Sequence, residues 1–197
     1  MKKGEKSLDA EFFNKMYQQN QDPWDFENSP YEKEKYKATI DIIPNDVYEN
    51  VFEIGCSNGV LSEMLIPRSK RLLAVDASDI AVKNAKLRLA KFPFVTVQEM
   101  TIPEKFPDEK FNLILLSEVG YFLNESDLII ARDKMIAALL PKGHLILVHW
   151  TPYVEEFPLT GDYVHEKFRE CAGDRQPLIH ISEKVESQYR MDLYEKR

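Results

Sequence analysis

The chain has 197 residues, 44% of them hydrophobic and 30% charged, with a formal net charge of -7. That length suits one domain with one core, and the composition is that of a folded globular protein rather than a disordered chain. An acidic balance with dispersed lysines and arginines lacks the attraction that drives binding to a phosphate backbone, so nucleic acid is not an expected partner.

The charged opening, Met1-Lys2-Lys3-Gly4-Glu5-Lys6, runs into Leu8-Asp9-Ala10-Glu11 instead of an apolar core, which argues against a signal peptide. No apolar run reaches the roughly 20 residues of a membrane span. Cys56 and Cys171 have neither metal-site nor disulfide-framework spacing, so a reducing cytoplasm is the expected location and no metal is expected.

Ser29-Pro30-Tyr31-Glu32 predicts a helix start, with Ser29 as N-cap, Pro30 at the first helical position and Glu32 closing a capping box. Tyr36, Ile40 and Ile43 supply its buried stripe. From Val51 onward short apolar runs alternate with amphipathic stretches, predicting strands over 51–54, 72–75, 95–97, 111–116 and 145–148. The intervening helices are carried by Leu61, Met64 and Leu65, by Val82, Ala85 and Leu89 behind a Ser78 cap, and by Leu128, Ala131 and Met135 behind Ser126 or Asp127. Such alternation predicts parallel strands joined by right-handed crossovers. Past Trp150, a loop with Pro152, Pro158 and Gly161 leads into a helix over about 162–172 and then two strands within 178–194, divided near 186–188.

The stretch Val51-Phe52-Glu53-Ile54-Gly55-Cys56-Ser57-Asn58-Gly59 is a strand entering a small-residue turn before a helix. Gly55 and Gly59 open backbone conformations closed to other residues, and the next helix begins with unbonded N–H groups. By itself the turn is as readily a tight connection without a ligand. Asp76 ends the second predicted strand about 20 residues later, where an acid accepts hydrogen bonds from both ribose hydroxyls. Either a dinucleotide or S-adenosylmethionine (SAM) suits a nucleoside site of this kind. The dinucleotide fingerprint needs G-x-G-x-x-G, whereas only Gly55 and Gly59 are present, and Glu53 suits a cationic ligand better than pyrophosphate. A dehydrogenase is therefore disfavoured.

Glu53-x-Gly55-x-Ser57-x-Gly59 resembles the E/D-x-G-x-G-x-G first motif of class I SAM-dependent methyltransferases, with serine at the middle glycine. Asp22-Pro23-Trp24-Asp25-Phe26, Tyr31-Glu32-Lys33-Glu34-Lys35-Tyr36, Leu116-Ser117-Glu118-Val119-Gly120-Tyr121-Phe122, His149-Trp150 and Gly161-Asp162-Tyr163-Val164-His165 resemble the nodulation-protein-S subgroup. The resemblance implies an α/β, Rossmann-like fold: a seven-stranded, mostly parallel sheet with helices on both faces and a last antiparallel strand. It implies that Glu53 and Gly55 face the methionine end of SAM, Asp76 the ribose and the Glu99-Met100 pair the adenine. Cys56, Ser57, Gly59, Ala77 and Ser117 complete the expected cofactor contacts. Gln98-Glu99 departs from the Gly-Asp of many members, and Asn112 from an aspartate. Residues 1–50 are expected to form N-terminal helices that act as a lid, and residues 51–197 the core of the single domain. In the lid, Trp24 and Tyr31, with Tyr36, present aromatic faces to the sulfonium, and Lys35 pairs with the SAM carboxylate.

Methyl transfer from a sulfonium is an in-line displacement, so the protein mainly positions the acceptor and excludes water; an amine acceptor adds the need for a base. Ser117-Glu118 and His149-Trp150 end the fourth and fifth predicted strands, at the carboxyl edge where ligands of such sheets bind. His149 is the expected base because imidazole titrates near neutrality, and Glu118 is expected to orient the acceptor. Asp162 and His165, on one helical face, are expected to reach the same cleft. The expected function is SAM-dependent methylation of a small molecule, an amine of an amino sugar or related metabolite, with S-adenosylhomocysteine (SAH) as product. O-methylation and SAM binding without turnover are the alternatives, and the chain is expected as a monomer or homodimer without a membrane partner.

Overall fold

Short apolar runs become strands because their side chains are buried on both faces, the signature of strands inside a parallel sheet. The computed structural model describes residue 4 and residues 6–197. The rest of the charged start, on which the signal-peptide argument rests, lies outside the described residues.

The chain divides into two units. In residues 9–101, helices α1 (Ala10–Gln19) and α2 (Pro30–Asp41) precede β1 (Val51–Ile54), α3 (Val60–Leu65), β2 (Leu72–Asp76), α4 (Asp79–Leu89) and β3 (Val95–Glu99). Strand β2 pairs in parallel with both β1 and β3. Ser29 caps α2 by accepting the Glu32 N–H at 3.3 Å. The reciprocal half of the expected capping box is not made: the Ser29 N–H donates to the Asp25 carbonyl at 2.9 Å, and the Glu32 carboxylate turns to Lys35 at 3.0 Å. Ser78 caps α4 as expected.

The second unit holds residues 4, 6–8 and 102–197. Its elements are β4 (Phe111–Ser117), α5 (Glu125–Ala138), β5 (Leu139–Trp150), α6 (Gly161–Arg169), β6 (Leu178–Val185) and β7 (Tyr189–Lys196). Phe111 and Leu113 to Leu116 are fully buried, each contributing on the order of 1.5–3 kcal/mol of transfer free energy. Strand β4 pairs in parallel with β5, and β7 runs antiparallel to both β5 and β6, lying between them. The seven strands belong to one mostly parallel sheet with β7 as its reversed strand.

Two expectations are corrected here. Helix α5 is capped by Asn124, whose Oδ1 accepts the Asp127 N–H at 2.9 Å, rather than by Ser126 or Asp127. Strand β5 begins six residues before the predicted Leu145, at Leu139, because Pro141-Lys142-Gly143 is absorbed where the register with β4 shifts, with Lys142 at φ 65°. No described helix is long and apolar enough to cross a membrane. Both cysteines are free thiols.

Gly161 opens α6 against the end of β5, and a Cβ there would lie 2.2 Å from the Trp150 carbonyl oxygen. That neighbour is backbone and cannot swing away. Gly161→Ala is expected to lower the unfolding free energy by about 1–3 kcal/mol, as overpacking does, measured by urea denaturation.

Candidate functional site

Within residues 9–101, β1 carries Glu53 into the interior, where the residue is 1% exposed. Ser62 on α3 donates to its Oε2 at 2.5 Å, while Oε1 has no hydrogen-bond partner. Burial pushes the Glu53 carboxyl up to about 7, opposed by the Ser62 bond and reinforced by the charge of Asp76. The turn that follows has Gly55 at φ 84°, Ser57 at φ 50° and Gly59 at φ 82°.

The left-handed conformation is cheap for the glycines and costs a serine roughly 1–3 kcal/mol unless tethered. Ser57 is tethered twice. Its N–H donates to Asp76 Oδ2 at 2.9 Å, and its hydroxyl meets the Tyr17 hydroxyl of α1 at 2.5 Å. At Gly59 a Cβ would stand 3.3 Å from the Ala85 backbone, so a glycine lets α4 approach the turn closely.

Asp76 is half-buried at the carboxyl end of β2, and its Oδ1 accepts the Ser78 N–H at 2.9 Å. Since the Ser78 hydroxyl accepts the Ala81 N–H at 3.2 Å, the cap of α4 is Ser78 and not Asp76. A carboxylate has about four acceptor sites, so the bonds from Ser57 and Ser78, with the Ala77 N–H also directed at it, still leave capacity for a ribose hydroxyl. Burial raises the Asp76 pKa, offset by the N–H groups of Ser78, Ser57 and Ala77. Glu99 is exposed and in register with Asp76, and the Met100 N–H donates to the Asp76 carbonyl at 2.9 Å, so both expected adenine residues flank the acid. Cys56 is a buried thiol raised well above its usual range by burial and then by Asp76 and Glu53.

The turn therefore gathers two carboxyls and a thiol whose charged forms are all disfavoured. Glu53 Oε1 and the Asn58 side-chain oxygen are buried without partners. A ligand bringing positive charge and hydroxyl donors compensates both deficits. SAM, with its ammonium, sulfonium and ribose, meets those requirements.

Trp24 lies edge-on to Tyr17 at 5.8 Å and stacks on Phe26 at 5.5 Å, and Phe26 meets Tyr36 at 5.9 Å. Lys35 is 2% exposed, with its ammonium 3.0 Å from Glu32 and 5.3 Å from the Tyr31 ring centroid. Glu32 and the Tyr31 ring are thus two of the groups that hold the buried ammonium.

In the second unit, Ser117 is buried at the end of β4 and Glu118 follows at φ 57°. The Glu118 N–H donates to the Val148 carbonyl at 2.8 Å, while its Oε2 accepts the Tyr121 hydroxyl at 2.5 Å and the Trp150 N–H at 2.9 Å. His149 on β5 is fully buried. Its Nε2 accepts the Gly120 N–H at 3.1 Å, and its Nδ1 is 3.1 Å from His165 Nε2. His165, also fully buried, reaches Asp192 of β7 at 2.5 Å through Nδ1. Asp162 is exposed, 3.8 Å from Arg190.

These positions revise the acid/base expectation. A base needs an acceptor nitrogen open to its substrate, and that of His149 is already bonded to Gly120. Asp162 and His165 share α6, yet one faces solvent and the other the interior. Sequence reasoning missed Tyr17, Ser62 and Asp192, each brought in by a different element with no spacing that announces it, and gave no role to Tyr121, three residues from Glu118.

The nodulation protein S (NodS) family model matches residues 10–150. Nodulation protein S of Rhizobium tropici is 26% identical over 127 residues, 64% of this chain and 53% of the relative. That of Bradyrhizobium diazoefficiens is 29% identical over 127 residues, 64% of this chain and 61% of the relative. The chain thus spans between half and two thirds of the length of these curated relatives. Among solved structures, a Pseudomonas syringae protein assigned to the methyltransferases is 33% identical, with 84% of this chain and 99% of that one matched at a TM-score of 0.73. N-methyltransferase NodS of Bradyrhizobium japonicum WM9, in complex with SAH, is 23% identical, with 92% and 98% matched at a TM-score of 0.78. The chain belongs to the nodulation protein S family and has the Rossmann-like fold of its SAH-bound N-methyltransferase member.

Proposed function

We propose that this protein is a SAM-dependent N-methyltransferase acting on a small-molecule amine, of an amino sugar or related metabolite, in the cytoplasm as a monomer or homodimer. The observation that carries the cofactor reading is the buried Glu53–Ser57–Asp76 turn, with a carboxyl oxygen lacking a partner. The name of the N-methyltransferase NodS supports nitrogen as the acceptor atom.

Bound SAM supplies a methyl group already activated by the sulfonium. What the chain contributes is binding, orientation and exclusion of water. Glu53 matches the cation, Asp76 accepts from the ribose hydroxyls, and Glu99 with Met100 borders the adenine. Helices α1 and α2 act as the lid, with Tyr17 and Trp24 lending aromatic faces. Glu118 orients the amine, its carboxylate fixed by Tyr121 and the Trp150 N–H.

The test is transfer of a tritium-labelled methyl group from SAM to partly deacetylated chitooligosaccharides and simpler amino sugars. Label on nitrogen is the expected result. Label on a hydroxyl makes the protein an O-methyltransferase, and SAH binding with no transfer to any acceptor makes it a binder without turnover. Calorimetric binding of NAD but not SAH overturns the cofactor reading.

A further inference from the structure

We infer that the buried chain Asp192–His165–His149 is a positioning device that holds the Gly120 amide, and through it the Glu118-to-Phe122 turn, with both imidazoles neutral and locked in one tautomer. The polarity of the chain is fixed from both ends. A backbone N–H only donates, so His149 Nε2 accepts from Gly120, and the ring proton stands on Nδ1. That Nδ1–H points at His165 Nε2, which must accept, leaving the His165 proton on Nδ1, where it donates to Asp192 Oδ2.

The acceptor end is equally constrained. Asp192 Oδ2 also receives Arg190 Nε at 2.8 Å, and Oδ1 receives His180 Nε2 at 2.5 Å. These donors hold the Asp192 carboxylate below its usual range against the opposing effect of burial, and burial pushes His165 down despite Asp192. The other charged groups around the chain are Arg169 and Asp162 of α6 and Glu183 of β6, with Arg169 and Arg190 both engaging Glu183. Protonating either imidazole sets two hydrogens against each other in the 3.1 Å gap between the rings or against the Gly120 N–H.

Packing tightens the arrangement. A Cβ on Gly120 would lie 2.6 Å from Val164 of α6 and 2.9 Å from His149 Nε2. Two residues earlier Glu118 occupies a left-handed backbone that glutamate disfavours, so its carboxylate is aimed by tethers and not by local preference. The consequence for methyl transfer rests on the acceptor role proposed for Glu118; the tautomer lock does not.

The experiment uses the whole chain with isotope-labelled histidine and glycine. Nitrogen NMR from about pH 6 to 8 should show His149 and His165 as neutral Nδ1–H tautomers throughout; titration of either near the ordinary imidazole pKa overturns the inference. His149→Gln, which offers a carbonyl oxygen near the Nε2 position, should keep Gly120 amide exchange protection within about threefold, whereas His149→Leu loses roughly tenfold. Equal loss in both variants also overturns it. With a partly deacetylated chitooligosaccharide as acceptor, the leucine variant should raise KM or lower kcat by a similar factor at every pH, and the glutamine variant should rescue it. A loss that fades at high pH without rescue by glutamine makes His149 a base instead. Should the wild-type chain transfer no methyl to this probe or to simpler amino sugars, the functional reading fails while the NMR result still decides the positioning claim.

Discussion

Asp76→Ala is expected to weaken SAH binding by about 1.5–3 kcal/mol, a loss of roughly 10- to 150-fold in Kd, because hydrogen bonds to a charged acceptor are worth that much. Two contributions combine. The ribose hydroxyls lose their acceptor, and the turn loses the carboxylate that receives the N–H groups of Ser57 and Ser78 at 2.9 Å. Asp76→Asn removes the charge and one of the two acceptor oxygens, each of which braces one turn N–H, so its affinity is expected to fall between those of the parent and the alanine variant. Titration calorimetry with SAH measures both variants, and circular dichroism checks that each is folded. Unchanged affinity in a folded alanine variant reassigns Asp76 to bracing the turn.

Glu53 gives the second large effect, visible as a pH dependence. Its carboxyl is raised from an ordinary 4.5 to about 7 in the folded chain. A group raised on folding contributes stability that is fully present below the unfolded pKa and is lost as pH climbs through the folded one. Without ligand, the protein should lose as much as about 3 kcal/mol between pH 4.5 and above 7 from this group. SAH, whose ammonium favours the ionised carboxylate, should bind more tightly as pH rises through 7 and offset much of that loss. Glu53→Gln is expected to remove the pH dependence, stabilise the ligand-free chain at pH 8 and weaken SAH. Thermal unfolding at pH 5, 6, 7 and 8 with and without SAH checks this, and a flat ligand-free profile for the parent chain would falsify it.

Strands β1, β2 and β4 were legible because burial on both faces leaves an apolar run, as in Phe111 to Leu116. The boundary between β6 and β7, read near 186–188 without a clear turn to mark it, falls where the structure divides them. Strand β5 was read short because Pro141-Lys142-Gly143 carries turn chemistry that a bulge accommodates. The glycine turn was legible for a similar reason: its backbone geometry demands residue types that can be recognised in isolation. Its supports were not. Tyr17 reaches Ser57 across 40 residues, and Asp192 reaches His165 across 27. Nothing in local spacing marks such partners. The role expected of His149 rested on the intrinsic acidity of imidazole, which carries no information on whether the ring faces a cleft or the interior.

The serine at the middle of the turn has a thermodynamic meaning of its own. A glycine there would leave the loop free to adjust by itself, but the Ser57 hydroxyl shares a hydrogen bond with Tyr17 of α1, so loop and helix order together. Ligand affinity and helix order are then reciprocally linked: whatever free energy the cofactor spends on setting the loop also appears as protection of the helix from opening, and fraying of the helix is paid back as weaker binding.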